Sequence, residues 1–195
     1  MAAKNLTTEA YVSSYLKRLQ AVLQDISPAE VSRVGALLAA ARDQGRQVFL
    51  CGNGGSAAMA SHISTDLGKG CSRNRKKRFR VMSFTDNVPW MTALSNDLAY
   101  EDVFVEQLRN FARKGDVLLA ISSSGNSKNV LNAVEYANQI GCVTVGLSGF
   151  AGGKLKPLVK HHVLIKAEHM GLIEDGQMVV GHILVYAFMD AEGCG

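Results

Sequence analysis

Two stretches of this chain put small and hydroxyl-bearing residues where a strand hands over to a helix: Val48-Phe-Leu-Cys-Gly-Asn-Gly-Gly-Ser56 and Val117-Leu-Leu-Ala-Ile-Ser-Ser-Ser-Gly-Asn-Ser127. A loop without bulky side chains lets an anion reach backbone N–H groups, and the helix start behind it adds partial positive charge. Two such loops, contributing Asn53, Gly54, Gly55 and Ser56 from the first and Ser122, Ser123, Ser124 and Ser127 from the second, predict a phosphorylated small molecule held between two strand ends. The second loop offers four hydroxyls, which suits a terminal phosphate monoester. A helix cap at Ser124 or Ser127 is the plain alternative, although a cap needs one hydroxyl.

A second set of residues is suited to proton transfer and metal binding. His62 and Asp66 are four apart on the helix expected behind the first loop, so they share a face. Glu174 and His182 are eight apart, about 80° around a helix at about 100° per residue, and are expected to converge. Two imidazoles and two carboxylates suit Zn²⁺. Read alone, His62 and Asp66 also fit a helix-surface ion pair, and His182, within Val179-Val-Gly-His-Ile-Leu-Val, fits a core histidine. His161, His162 and His169 read as structural, and Lys69 as a further candidate for phosphate contact.

These residues need a scaffold, and the apolar pattern supplies one. Residues 8–23 carry Tyr11, Tyr15, Leu16, Leu19, Val22 and Leu23 at helical spacing. Pro28 opens a second helix, with Ser27 as its N-cap, Val31, Val34, Leu37 and Leu38 on its buried face, and Gly45 near its end. Strands are expected at 47–51, 80–84, 116–122, 142–148 and 162–167, and helices at 56–67, 103–112, 127–139 and 172–190. Residues 86–93 add a short helical turn around Pro89. Short apolar strands between helices predict a three-layer α/β/α sandwich with a five-stranded, mostly parallel sheet. The chain reads as a single domain, 1–195, with a helical N-terminal segment to about residue 45. In such sheets ligands bind outside the carboxyl ends of the strands, where both loops fall.

Charge and cysteines narrow the classes. Much of the net charge of +4 comes from Arg73-Asn-Arg-Lys-Lys-Arg-Phe-Arg80. With one aromatic and no nucleic-acid module around it, this run reads as a solvated loop entering a strand; attraction of a phosphorylated substrate is the next reading, and nucleic acid is not an expected partner. Cys51, Cys71, Cys142 and Cys194 form no CxxC pair and read as free thiols of a reducing compartment. The N-terminus has no signal-peptide core, and no uninterrupted apolar stretch approaches the roughly 18 residues that span a bilayer, so a cytoplasmic protein without a membrane partner is expected. Gly52-Asn-Gly54-Gly-Ser-Ala57 partly matches a dinucleotide fingerprint, but the basic run stands where a ribose-binding acid belongs. A Walker loop is excluded, since no Gly-Lys-Ser/Thr follows the glycines.

Cys51-Gly-Asn-Gly-Gly-Ser56 followed by His62, together with Ile121-Ser-Ser-Ser-Gly-Asn-Ser-Lys-Asn-Val130, resembles the sugar isomerase (SIS) domain family, and within it the sedoheptulose 7-phosphate (phosphoheptose) isomerases. The resemblance covers nearly the whole chain. It implies a homotetramer with active sites at subunit interfaces that interconverts a ketose phosphate and an aldose phosphate through an enediol, with one Zn²⁺ per subunit. Ser56, Ser122, Ser124 and Ser127, with Ser123 beside them, match the family's phosphate-binding hydroxyls, and Asn53 matches an asparagine facing the sugar. Asp97, in Ser95-Asn-Asp97, matches an aspartate near the substrate; the segment between Asp86 and Asp97 is one residue longer than usual. His62 and His182 match metal-binding histidines, and His182 also the catalytic one. Asp66 stands where the family has a catalytic, metal-binding glutamate, and Glu174 where it has a glutamine. The resulting expectation is that His62, Asp66, Glu174 and His182 hold zinc, with Glu174 or Asp66 shuttling a proton and His182 assisting as acid. The competing reading is a SIS-domain protein that binds a sugar phosphate or a replication initiator without catalysis. The retained histidines and acids favour the enzyme. A nicotinamide-dependent oxidoreductase is disfavoured by the missing ribose acid.

Overall fold

The computed structural model describes residues 7–191. Two helices, α1 (Glu9–Gln24) and α2 (Pro28–Asp43), precede an alternation of β1 (Gln47–Cys51), α3 (Gly55–Thr65), β2 (Arg80–Ser83), α4 (Val88–Asp97), α5 (Val105–Phe111), β3 (Val117–Ser122), α6 (Lys128–Gln139), β4 (Val143–Gly149), α7 (Leu155–Leu158), β5 (His161–Ile165) and α8 (Met170–Ala191). All four strand pairings are parallel, in the order β2-β1-β3-β4-β5. The chain thus steps from β1 to β2 on one side and returns to β3 on the other. That reversal opens a crevice between the carboxyl ends of β1 and β3, where ligands collect in doubly wound sheets. Strand order therefore brings the two small-residue loops side by side.

The strands are apolar on both faces because helices cover both. Val48, Leu50, Leu119 and Ile121 pack with Val34, Leu38, Met59, Ile63 and Val180. Their neighbours Phe49, Cys51, Leu118 and Ala120 pack with Phe84, Phe104, Val130 and Val134. This period of two is what a strand imposes, and each fully buried large side chain contributes about 1.5–3 kcal/mol. Cys51, Cys71 and Cys142 are buried thiols, and burial pushes the Cys51 thiol up to about 12. Cys194 lies outside the described residues.

The structure departs from the sequence pattern in several places, one of them the single-turn helix α7, which was not expected. Of residues 86–93, those from Val88 on belong to a full helix, α4, because Pro89 sits in its first turn, where no N–H is needed, and Asn87 caps it by accepting from the Trp90 N–H. The helix after the first loop does not run on as α-helix past Thr65; it widens into a π-turn, Asp66–Gly70, closed by Cys71 N–H on the Asp66 carbonyl. Finally, α8 is long and apolar enough to cross a bilayer, despite interruption by Glu174, Asp175 and His182. Here it is a core helix, with Leu172, Ile173, Val180, Leu184 and Val185 packed against the sheet.

Candidate active site

Helix starts in this chain fall into two groups, and α5 and α7, like the helices behind the two loops, have no side-chain cap. Thr8, Ser27 and Asn87 cap α1, α2 and α4 through their side chains. Gly54 before α3 and Ser127 before α6 supply no side-chain cap. The Ser56, Ala57 and Val130 N–H groups are already engaged, which leaves the earlier N–H groups of each loop and helix start for an incoming anion, and the capping alternative for Ser127 does not describe this structure. Ser127 Oγ lies 3.3 Å from Ser122 Oγ. Ser124 Oγ accepts from the Asn126 N–H, and Ser56 is buried in the first turn of α3. Ser123 points the other way, as strand alternation requires, and donates to Gln177 Oε1 of α8 inside the core. Gly125 has φ +65°, and a Cβ there would lie 2.1 Å from the Gly152 carbonyl oxygen. Only glycine lets the second loop lie against residues 152–153.

Asn53 ties the loops together. Its amide makes a reciprocal pair with Asn129 on α6, at 2.8 and 2.9 Å, and accepts from the Tyr100 hydroxyl at 2.8 Å. Tyr100 belongs to a 3₁₀ turn, Tyr100–Asp102, held on α6 by Lys128 Nζ on Glu101 Oε1 and Asn132 Nδ2 on the Glu101 carbonyl. Asp97 is exposed at the end of α4 and accepts from Asn96. Neither Tyr100 nor Asn129 stood out in the sequence. A polar Asn129 on the buried face of α6, beside Val130 and Ala133, was the available signal.

Helices α3 and α8 run parallel in contact, with Glu174 over Gly55, His62 at His182 and Gly181 over Ile63. The two Nε2 atoms of His62 and His182 are 2.9 Å apart, and Asp66 Oδ2 is 3.2 Å from His62 Nε2. These three donors lie within 4.8 Å of one another. The His62 and Asp66 side chains are 44% and 23% exposed, so the cluster opens to the surface. The Tyr186 ring packs edge-on against His182. Glu174 is not in the cluster. Its angular offset from His182 is favourable, but eight residues of helix also rise about 12 Å. Its carboxylate instead sits at the start of α3, beside the first loop.

The remaining candidates lie elsewhere. The basic run enters β2 opposite Gln47, at the amino end of β1 and away from the loops; Lys77 pairs with Asp43 and Arg80 donates to the Gly45 carbonyl. His162 meets Ser148 Oγ at 2.8 Å, and burial together with Lys156 lowers its pKa from 6.5. His169 packs edge-on against Tyr15, whose phenol is pushed up to about 12, chiefly by its hydrogen bond to Asp175 and by burial.

A doubly wound sheet with two uncapped helix starts at its switch point defines a class, and the SIS domain model matches residues 10–149. The chain belongs to the SIS domain family. Within it, the chain is 33% identical to a phosphoheptose isomerase of Geotalea daltonii, over 90% of this chain and 91% of that one. It is 35% identical to one of Helicobacter pylori, over 88% of each. The solved phosphoheptose isomerase of Neisseria gonorrhoeae superposes with TM-score 0.84 at 26% identity, covering 94% of this chain and all of that one. That of Francisella tularensis shares the fold, with TM-score 0.87 at 23% identity, covering 94% and 98%. The family placement is thus among the phosphoheptose isomerases.

Proposed function

We propose that this chain is an aldose–ketose isomerase that interconverts sedoheptulose 7-phosphate and glycero-manno-heptose 7-phosphate. The observation that carries the reading is that one chain retains both two loop-borne helix starts without side-chain caps and, two turns along α3 and α8, an imidazole–carboxylate set. The relatives named phosphoheptose isomerase support the substrate. The helix starts and Ser56, Ser122, Ser124 and Ser127 hold the phosphate, and Asn53 and Asp97 face the sugar.

The His62, Asp66 and His182 donors fit zinc. Tetrahedral Zn²⁺ with bonds near 2.0–2.1 Å places its donor atoms about 3.3 Å apart, close to the 2.9 and 3.2 Å seen here. Bound there, zinc would polarise the oxygens on C1 and C2. Asp66, one methylene shorter than glutamate, is engaged with His62. Glu174 is then the carboxylate that takes the proton from C1 of the ketose and returns it to C2, while His182, when its Nε2 is not ligating zinc, moves a proton between O1 and O2.

Glu174 and the histidine cluster lie two helical turns apart within one chain, so a shared reacting centre requires groups from different subunits. This supports a homotetramer with active sites at subunit interfaces. Exposed Ile183 and Tyr186 beside His182, and exposed Tyr11, Val12 and Leu16 on α1, are apolar surface that such an assembly covers. The buried thiols fit a cytoplasmic location. The test is an isomerisation assay across C5 to C7 ketose phosphates, with and without chelator. Turnover of the C7 substrate that chelation abolishes is expected; turnover of none would favour the non-catalytic binding protein.

A further inference from the structure

We propose that Tyr100 determines specificity by accepting a hydrogen bond from a sugar hydroxyl, while the neighbouring Asn53 amide donates one to the adjacent sugar oxygen. The proposal rests on the sugar-phosphate reading of the site and adds a reader for the carbon chain.

The polarity follows from a single backbone group. The Val130 N–H can only donate, and it donates to Asn129 Oδ1 at 2.9 Å. Asn129 is 2% exposed, so a flipped amide would bury an NH₂ against that N–H without water to relieve it. Asn129 Nδ2 must therefore face Asn53 Oδ1, and Asn53 Nδ2 must face Asn129 Oδ1. With Asn53 Oδ1 fixed as an acceptor, the Tyr100 phenol has to donate to it. Its one hydrogen is then used, and its remaining lone-pair capacity faces outward. Asn53 keeps one Nδ2 hydrogen.

Tyr100 and Asn53 line a cavity of about 250 Å³ with Gly54, Thr85, Thr92 and Ser95. The other hydroxyls in its wall also have acceptors: Thr92 donates to the Val88 or Pro89 carbonyl, Ser95 to the Met91 carbonyl and Thr85 to the Ala57 carbonyl at 3.3 Å. The wall next to Tyr100 thus offers acceptors, whereas the helix starts offer donors. A ligand whose carbon chain presents O–H groups satisfies this wall, and an anionic group does not. A vicinal diol matches the adjacent Tyr100 acceptor and Asn53 donor.

The experiment compares full-length wild type with Tyr100→Phe, measuring affinity for sedoheptulose 7-phosphate, affinity for inorganic phosphate, turnover and melting temperature. A lost hydrogen bond of ordinary strength gives about a three- to tenfold weaker sugar-phosphate affinity and higher KM, with kcat within about twofold. Inorganic phosphate affinity and melting temperature stay at wild-type values, because the loops are intact. Unchanged sugar-phosphate affinity, or a parallel loss for inorganic phosphate, would overturn the proposal. Wild type that binds the sugar phosphate without turning it over would overturn the isomerase reading and leave this one standing. Failure of wild type to bind it would overturn both.

Discussion

Replacing Gly55 with alanine tests whether the position of Glu174 governs the reaction. A Cβ at residue 55 would lie 2.6 Å from Glu174 Oε1 and 2.7 Å from Cδ and Oε2. Ordinary contact begins near 3.4 Å, so the carboxylate must retreat by 0.8 Å. The obstacle is the end of a flexible side chain rather than backbone, so the fold yields easily. Alanine in a helical turn is favoured over glycine by up to about 1 kcal/mol, so the melting temperature should hold or rise. The chemistry should not be so tolerant. A displacement of about 1 Å of a reacting group costs on the order of 10²-fold in rate, about 2.7 kcal/mol of barrier. The expected result is kcat lower by about two orders of magnitude with KM little changed. Proton exchange between C1 and C2, followed by NMR in deuterated water, reads the step directly, and Glu174→Gln supplies the comparison in which shape is kept and the base is removed. Wild-type kcat in Gly55→Ala, or a loss confined to KM, would refute the role given to Glu174.

Three further outcomes follow from the same geometry. Gly125→Ala should lose more than about 2 kcal/mol of stability and most inorganic-phosphate affinity, because residue 125 combines a positive φ with a backbone oxygen 2.1 Å from the new Cβ; wild-type melting and phosphate titrations would contradict it. His162 has its folded-state pKa lowered from 6.5, by burial and Lys156. The unfolded chain therefore binds its proton first, and stability should be fullest above pH 6.5 and decline as pH falls toward the lowered folded value. Denaturant melts across that window should show a flatter profile for His162→Asn, and an identical slope would remove His162 as the cause. Mixing inactive Glu174→Gln and His182→Ala chains, followed by subunit exchange, should restore part of the wild-type activity if each site draws on two subunits. Mixtures as inactive as their parents would place both groups of a site in one chain.

The sheet was legible because its central strands β1 and β3 are short, largely apolar runs bounded by polar turns, and β1 falls at 47–51 as its residues indicate. The edges of helices were less so. Pro89 reads as a breaker in sequence, yet in a first helical turn its missing N–H costs nothing. The π-turn at Asp66 changes the hydrogen-bond ladder without changing the hydrophobic pattern, so nothing in the residues announced it. In the site, His62 and Asp66 were readable because four residues on a helix fix both angle and height. Glu174 and His182 were misjudged because angle was considered without rise. Ser123 looked equivalent to its neighbours only until strand alternation turned it toward Gln177. Tyr100 sits in a short 3₁₀ turn that has no periodicity, and its meaning depends on Asn53, which is 47 residues away.

The proposed selectivity comes from surfaces of opposite hydrogen-bonding character placed next to each other. At the starts of α3 and α6 the uncapped backbone offers hydrogens, and a phosphate there needs no cationic side chain to be held. Beside them, the wall carrying Tyr100, Thr92 and Ser95 has already committed its hydrogens to Asn53 and to α4 carbonyls. On the proposed reading a phosphate in that cavity would meet lone pairs and apolar side chains with one Asn53 amide hydrogen as donor, and a polyol on the helix starts would leave N–H groups facing oxygens too weakly negative to replace the anion. On that proposal each end of a sugar phosphate is favoured by one surface over the other, which would set its direction before any proton moves. The polarity of the second surface traces to the Val130 N–H, a group on α6 one residue from the buried Asn129. On this proposal the same helix orients the phosphate through its first turn and the sugar through Asn129.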